Sequence, residues 1–166
     1  MLITVKGGRQ HQRADLETAA YFFAQRLMHP NLIRRLNINI AVVSKLNMLG
    51  VCDTTENDRG NYREFDITIR QTNDDRDIVQ TLAHEMVHVK QYSTGELSAT
   101  GILVSIAGRL IYTTQWNGKT WLPRNNECQY YDSPWEINAY GMEVGLYHKW
   151  STRNDHKIEG KYNVNG

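Results

Sequence analysis

The spacing of apolar positions changes several times along the chain, and each change marks an element. In RADLETAAYFFAQRLM, Leu16, Ala19, Ala20, Phe23 and Leu27 recur at helical intervals, and Pro30 follows shortly afterwards. In RLNINIAVVSKL the repeat shortens to two: Leu36, Ile38 and Ile40 alternate with polar residues, as on a half-buried strand. NMLGVCDT is a weaker strand candidate and ENDRGN reads as a turn. YREFDITIRQ alternates again through Phe65, Ile67 and Ile69. The helical repeat returns from about Asp75 to about Tyr92, with Asn73 or Asp74 as cap, acidic residues at the positive end of the dipole, and Gly95 as the stop. GRLIYTTQWNGKTWLP places two β-prone runs around Asn117-Gly118, a hairpin signal. The last element, SPWEINAYGMEVGLYHKW, is a helix capped by Ser133 with Pro134 at its first position. The order predicts an α+β fold with two central helices, in one domain over 1–150 followed by a polar tail at 151–166.

Composition narrows the function more than the fold. A chain of 166 residues has room for one domain with a proper core, and 40% hydrophobic and 22% charged residues is an ordinary globular balance. The formal charge of +1 argues against phosphate-driven binding to nucleic acid. No apolar run approaches the roughly 20 residues that cross a bilayer, and the N-terminus turns polar after Val5, unlike a secretory signal. Cys52 and Cys128 make no disulfide framework and no C-x-x-C pair, so free thiols in a reducing cytoplasm are the simplest expectation.

The chemistry concentrates in HEMVH, residues 84 to 88, within the second helix. Residues four apart on a helix share a face, so His84 and His88 can turn their imidazoles onto one cation. Glu85 is rotated away from that axis, where a carboxylate reaches a metal-bound water more easily than the metal. Ile78, Leu82, Met86 and Val89 form a separate apolar stripe to anchor the helix. A catalytic zinc site needs a third protein ligand. Glu136 is the leading candidate, with Glu143 seven residues on and close to the same face. Against it, Ser133 and Glu136 also fit a capping box, in which the glutamate bonds back to the serine amide. His148 and His156 are weaker rivals for the third position, and Cys128 is near enough in sequence to approach the site.

Three segments, HEMVHVKQYSTGEL, WNGKTW and YYDSPWEINAYGME, together resemble small metallopeptidases of bacteriophages and bacteria, often grouped with SprT-like proteins in the zincin class. The likeness covers roughly residues 62 to 147. It implies a minimal zincin-like domain: a small mixed or antiparallel sheet packed on the H-E-x-x-H helix and on a second, ligand-bearing helix. It implies one Zn²⁺ ion held by His84, His88 and Glu136, with Glu85 as general base. It also implies that the strand before the metal helix, YREFDITIRQ, forms the sheet edge beside the substrate cleft, where a peptide could add as a further strand. SprT proteins proper use a third histidine and often carry a zinc ribbon. This chain has no cysteine cluster to build a ribbon and no well-placed third histidine, so their DNA-associated proteolysis does not carry over.

The expected activity is peptide-bond hydrolysis by a zinc-activated water, with a protein or peptide as substrate. Tyr140, then Tyr147 and Tyr131, are the candidates to stabilise the oxyanion. The competing expectations are a zinc-stabilised binding or inhibitory protein, for which Glu143 or His148 would serve as a fourth ligand, and hydrolysis of a non-peptide amide. Trp116, Trp121, Trp135 and Trp150 either line a cleft or fill the core.

Overall fold

The computed structural model describes residues 1–56, 61–98, 103–106, 109–121 and 129–153. The chain opens with strand β1 (Leu2–Gly7) and helix α1 (Gln10–Leu27), then a single helical turn, α2 (Pro30–Ile33). Strands β2 (Asn37–Val43), β3 (Gly50–Glu56) and β4 (Tyr62–Arg70) follow, and lead into the long helix α3 (Asp75–Thr94). Short strands β5 (Leu97–Ser98), β6 (Leu103–Ile106), β7 (Arg109–Tyr112), β8 (Thr114–Trp116) and β9 (Lys119–Trp121) come next, then α4 (Gln129–Asp132) and α5 (Pro134–Ser151). This is a mixed α+β fold.

The principal sheet has the order β1-β2-β4-β3. Its first three strands run parallel and β3 is antiparallel to β4. YREFDITIRQ is therefore not the edge. It lies between β2 and β3, and β3 takes the rim. The alternation in YREFDITIRQ reports one buried face and carries no information about which strands lie alongside, so the neighbour order is a tertiary outcome. Strand β1, unmarked by the sequence pattern, occupies the opposite edge, where exposed Leu2, Thr4 and Lys6 alternate with half-buried Ile3 and Val5.

One face of this sheet is covered by helices. Ile38, Ile40 and Val42 of β2 and Phe65, Ile67 and Ile69 of β4 pack with Leu16, Phe23, Ile78, Leu82 and Met86 in one core. The other face is polar: Thr4 donates to Asn39 at 3.0 Å, and Asn39 donates to Asp66 at 2.9 Å, in a row across three strands. Helix α3 sits centrally, against α1 and α5 on either side and against β3 and β4 beneath. Gln12 and His11 of α1 meet Asp75 at the start of α3 at 2.6 and 2.9 Å, tying the two N-termini together.

Local signals explain where α3 begins and ends. Asp74 accepts from the Arg76 amide, and Gly95 takes the left-handed conformation at φ 79°. Asn117 and Gly118, both at positive φ, join β8 to β9 as the sequence predicts, and β5 adds to β8 to make a second small sheet. The β6–β7 pair was not legible in the pattern. Cys128, His156, the ENDRGN turn at 57–60 and the tail beyond 153 lie outside the described residues. Among those described, no helix is long and apolar enough to cross a membrane.

Candidate metal centre

His84 and His88 are both buried on α3, one turn apart, and their Nε2 atoms lie 3.2 Å from each other. Glu136, in the first turn of α5, meets them from the neighbouring helix. Its Oε2 is 3.2 Å from His84 Nε2 and its Oε1 is 3.4 Å from His88 Nε2. The packing of α3 against α5 sets this meeting, because the three residues come from elements separated by the whole β5–β9 region. Among the described residues this is the group of side chains able to share a metal ion.

The spacing suits a small tetrahedral cation. Bonds of about 2.0–2.1 Å give tetrahedral edges of about 3.3–3.4 Å; the two Nε2 atoms are 3.2 Å apart, and each has a different Glu136 oxygen at 3.2 or 3.4 Å. The chemistry of the donors points the same way. His84 Nδ1 lies 2.8 Å from Glu143 Oε2, and His88 Nδ1 lies 2.9 Å from Gln91 Oε1. Both partners are acceptors, so both Nδ1 atoms donate and both Nε2 atoms turn towards the centre. Glu136 Oε2 is buried and has no hydrogen-bond partner. Three converging acceptor atoms with nothing positive among them would be an expensive arrangement, which a cation resolves.

The charge states follow from these contacts. Burial works against a charged His84, yet the carboxylates of Glu136 and Glu143 beside it raise its pKa to about 9. Burial also opposes ionisation of Glu136, but His84 and His88 hold its carboxyl down at about 2. Without metal, a proton on His84 thus balances the charge of Glu136. Glu85 differs: burial lifts its pKa to about 7, and the two histidines only partly counter this.

Glu85 and His84 open onto a cleft of about 560 Å³. One wall comes from α3, including Gln80 and Thr81. The facing wall is Met48, Leu49 and Gly50, where β3 begins. Gly50 passes so close that a Cβ there would fall 2.5 Å from Glu85 Oε1 and 2.6 Å from Thr81 Cγ2, so only glycine leaves Glu85 in place. Tyr130, Tyr131 and Tyr140 stand around the mouth. A smaller recess of about 280 Å³ lies on the outer sheet face over Asn39 and Asp66, away from these ligands.

The capping-box alternative for Glu136 is not realised. Ser133 makes no side-chain cap and instead donates to the Tyr130 carbonyl at 2.7 Å, leaving Glu136 to face the histidines. Glu143 is close to the centre but bonds the far side of His84, and its Oε1 accepts from Gln80 at 2.8 Å. His148 is exposed near the end of α5 and takes no part in the group. Tyr140 lies edge-on to His84 with ring centres 4.5 Å apart. Tyr147 is the exception among the tyrosines expected at the site: it packs against Arg76 and Trp150 instead. Trp116 and Trp121 contact Trp135, whereas Trp150 belongs to the core. Sequence reasoning missed Gln80, Gln91 and Tyr130. For Tyr130 the adjoining YYDSPWE segment was the available signal; for the two glutamines there was none. Compared with protein families, curated proteins and solved structures, the chain matches none of them.

Proposed function

We propose that the protein is a zinc-dependent peptidase with a zincin-like active site, in which His84, His88 and Glu136 hold one ion and Glu85 is the general base. The observation that carries this reading is the meeting of two Nε2 atoms 3.2 Å apart with the Glu136 carboxylate, whose Oε2 and Oε1 lie 3.2 and 3.4 Å from them, next to a cleft that Glu85 shares. Three protein ligands and an open side suit catalysis, whereas a structural site has four protein ligands. Among the described residues, Glu143 bonds the far side of His84 and His148 is exposed, so neither joins His84, His88 and Glu136 as a fourth ligand.

When bound, zinc would lower the pKa of a coordinated water towards 7 and polarise a carbonyl. The chain's own groups account for the rest. Glu85, with its pKa near 7, is matched to taking a proton from water and returning it to a leaving amine. Tyr140 and Tyr131 at the mouth are the donors available to a developing oxyanion. Glu143 orients His84 and adds to its basicity as a ligand. Strand β3 ends the principal sheet and starts at Gly50, directly over Glu85, so an extended peptide added along it would run past the base.

The test is zinc analysis together with turnover of a peptide library by wild type and Glu85→Gln. The expected result is about one zinc per chain in both proteins, with hydrolysis lost only in the variant. Zinc-free wild type, or undiminished turnover by Glu85→Gln, would overturn the proposal.

A further inference from the structure

We infer that Gln91 is a positioning residue that fixes His88 in the tautomer protonated on Nδ1 and ties that ring to the helical turn carrying Glu136. Its importance rests on the metal-centre reading above, although the hydrogen-bond argument stands without it. Gln91 is fully buried, 0% exposed. An amide side chain offers an NH₂ that only donates and an oxygen that only accepts. One neighbour decides which end is which. The main-chain carbonyl of Trp135, 2.9 Å away, can only accept, so it must face the NH₂. Asn138 Oδ1 takes the second N–H at 3.1 Å. The amide oxygen is left for His88 Nδ1 at 2.9 Å, and the ring must donate to it. The partners' chemistry, and not the atom naming, thus sets the amide orientation and the tautomer.

Gln91 lies three residues beyond His88 on α3, while Trp135 and Asn138 flank Glu136 in the first turn of α5. A single neutral side chain therefore holds one ligand directly and the backbone beside another. Trp135 is in turn packed by Trp116 and Trp121 of the β8–β9 hairpin, which gives that hairpin a route to the centre. The two histidines are supported differently: His84 by a carboxylate, His88 by an amide. Loss of Gln91 should accordingly disturb geometry with no change in the charge around the ion.

Two variants separate these contributions. Gln91→Met has similar length and no hydrogen-bonding amide. Gln91→Glu keeps an acceptor for His88 but cannot donate to Trp135 or Asn138. Nitrogen NMR of ¹⁵N-histidine-labelled protein reads the tautomer, and competition with a chelator reads zinc affinity. In wild type, His88 should show a protonated Nδ1 and a bare Nε2. In Gln91→Met this signature should be lost and zinc binding should weaken about 10- to 100-fold. Gln91→Glu should keep the Nδ1 proton on His88, because its carboxylate can accept it as Glu143 does from His84. Wild-type spectra and affinity in Gln91→Met would overturn the inference. If that variant does not fold, Gln91→Glu decides: loss of the Nδ1 proton overturns it. Wild type that binds no zinc would refute the metal reading, while the spectra of the metal-free proteins would still decide the role of Gln91.

Discussion

Glu85 has to remain buried yet able to change charge, and its surroundings allow both. Its pKa of about 7 arises mainly from desolvation, with nearby His84 and His88 keeping it from rising further. Gly50→Ala should push its carboxylate out of line, because the added methyl would overlap Oε1 and Thr81. The expected outcome is turnover reduced at least tenfold with zinc content retained, measured by peptide assay and metal analysis. His84 sets a second expectation. Its pKa in the metal-free protein, about 9, exceeds its ordinary 6.5. The stability contributed by its contacts with Glu136 and Glu143 is thus complete below about pH 6.5 and fades as pH rises through 9. Zinc must displace this proton, so affinity should climb with pH up to about 9 and then level, as a chelator competition series would show. The residues legible in sequence were those fixed by local geometry: two histidines four apart, and a glutamate beside the first. Glu136 was the leading third ligand from its position on the last helix, with a capping role as its rival, and the resemblance added to that choice. Glu143 and Gln91 were not legible as supports, because what they orient is decided only when α5 docks on α3.

At the level of elements, periodicity predicted the helices well because each has one face against a continuous core. Helix α3 was expected to end near Tyr92 and ends at Thr94, with Gly95 completing the stop. Gly95 has open space around its α-carbon but a φ of 79°, so Gly95→Ala should cost about 1 kcal/mol through backbone strain alone, visible as a lower denaturant midpoint with unchanged slope. Strand order was beyond reach of the pattern. An alternating strand looks alike whether it lies at a rim or inside a sheet with one open face, and YREFDITIRQ lies inside. The edge strand beside Glu85 is therefore β3 and not β4, and the proposed peptide path moves with it.

Across the described residues, the helix layer gathers the chemistry while the far side of the sheet is polar. The α+β class was legible because helical and alternating segments succeed one another clearly. The small sheets were less so, as strands of two to four residues leave little periodicity to detect. If the site holds zinc as proposed, the ion should matter to the entire fold, since its ligands come together only in the assembled protein. At zinc 100-fold above its Kd, binding should add about 2.7 kcal/mol, and stripping it with chelator should lower Tm by roughly 5–11 °C in calorimetry. The arrangement of ligands has one more effect. His88 and Glu136 bracket the excursion that holds β5, β8 and β9, so an ion joining them acts as a removable clasp on a loop of about fifty residues. The entropy of that loop is then set by the availability of a dissolved ion, and hydrogen exchange within the Thr114–Trp121 hairpin should slow when zinc is supplied, far from any bond the ion itself makes.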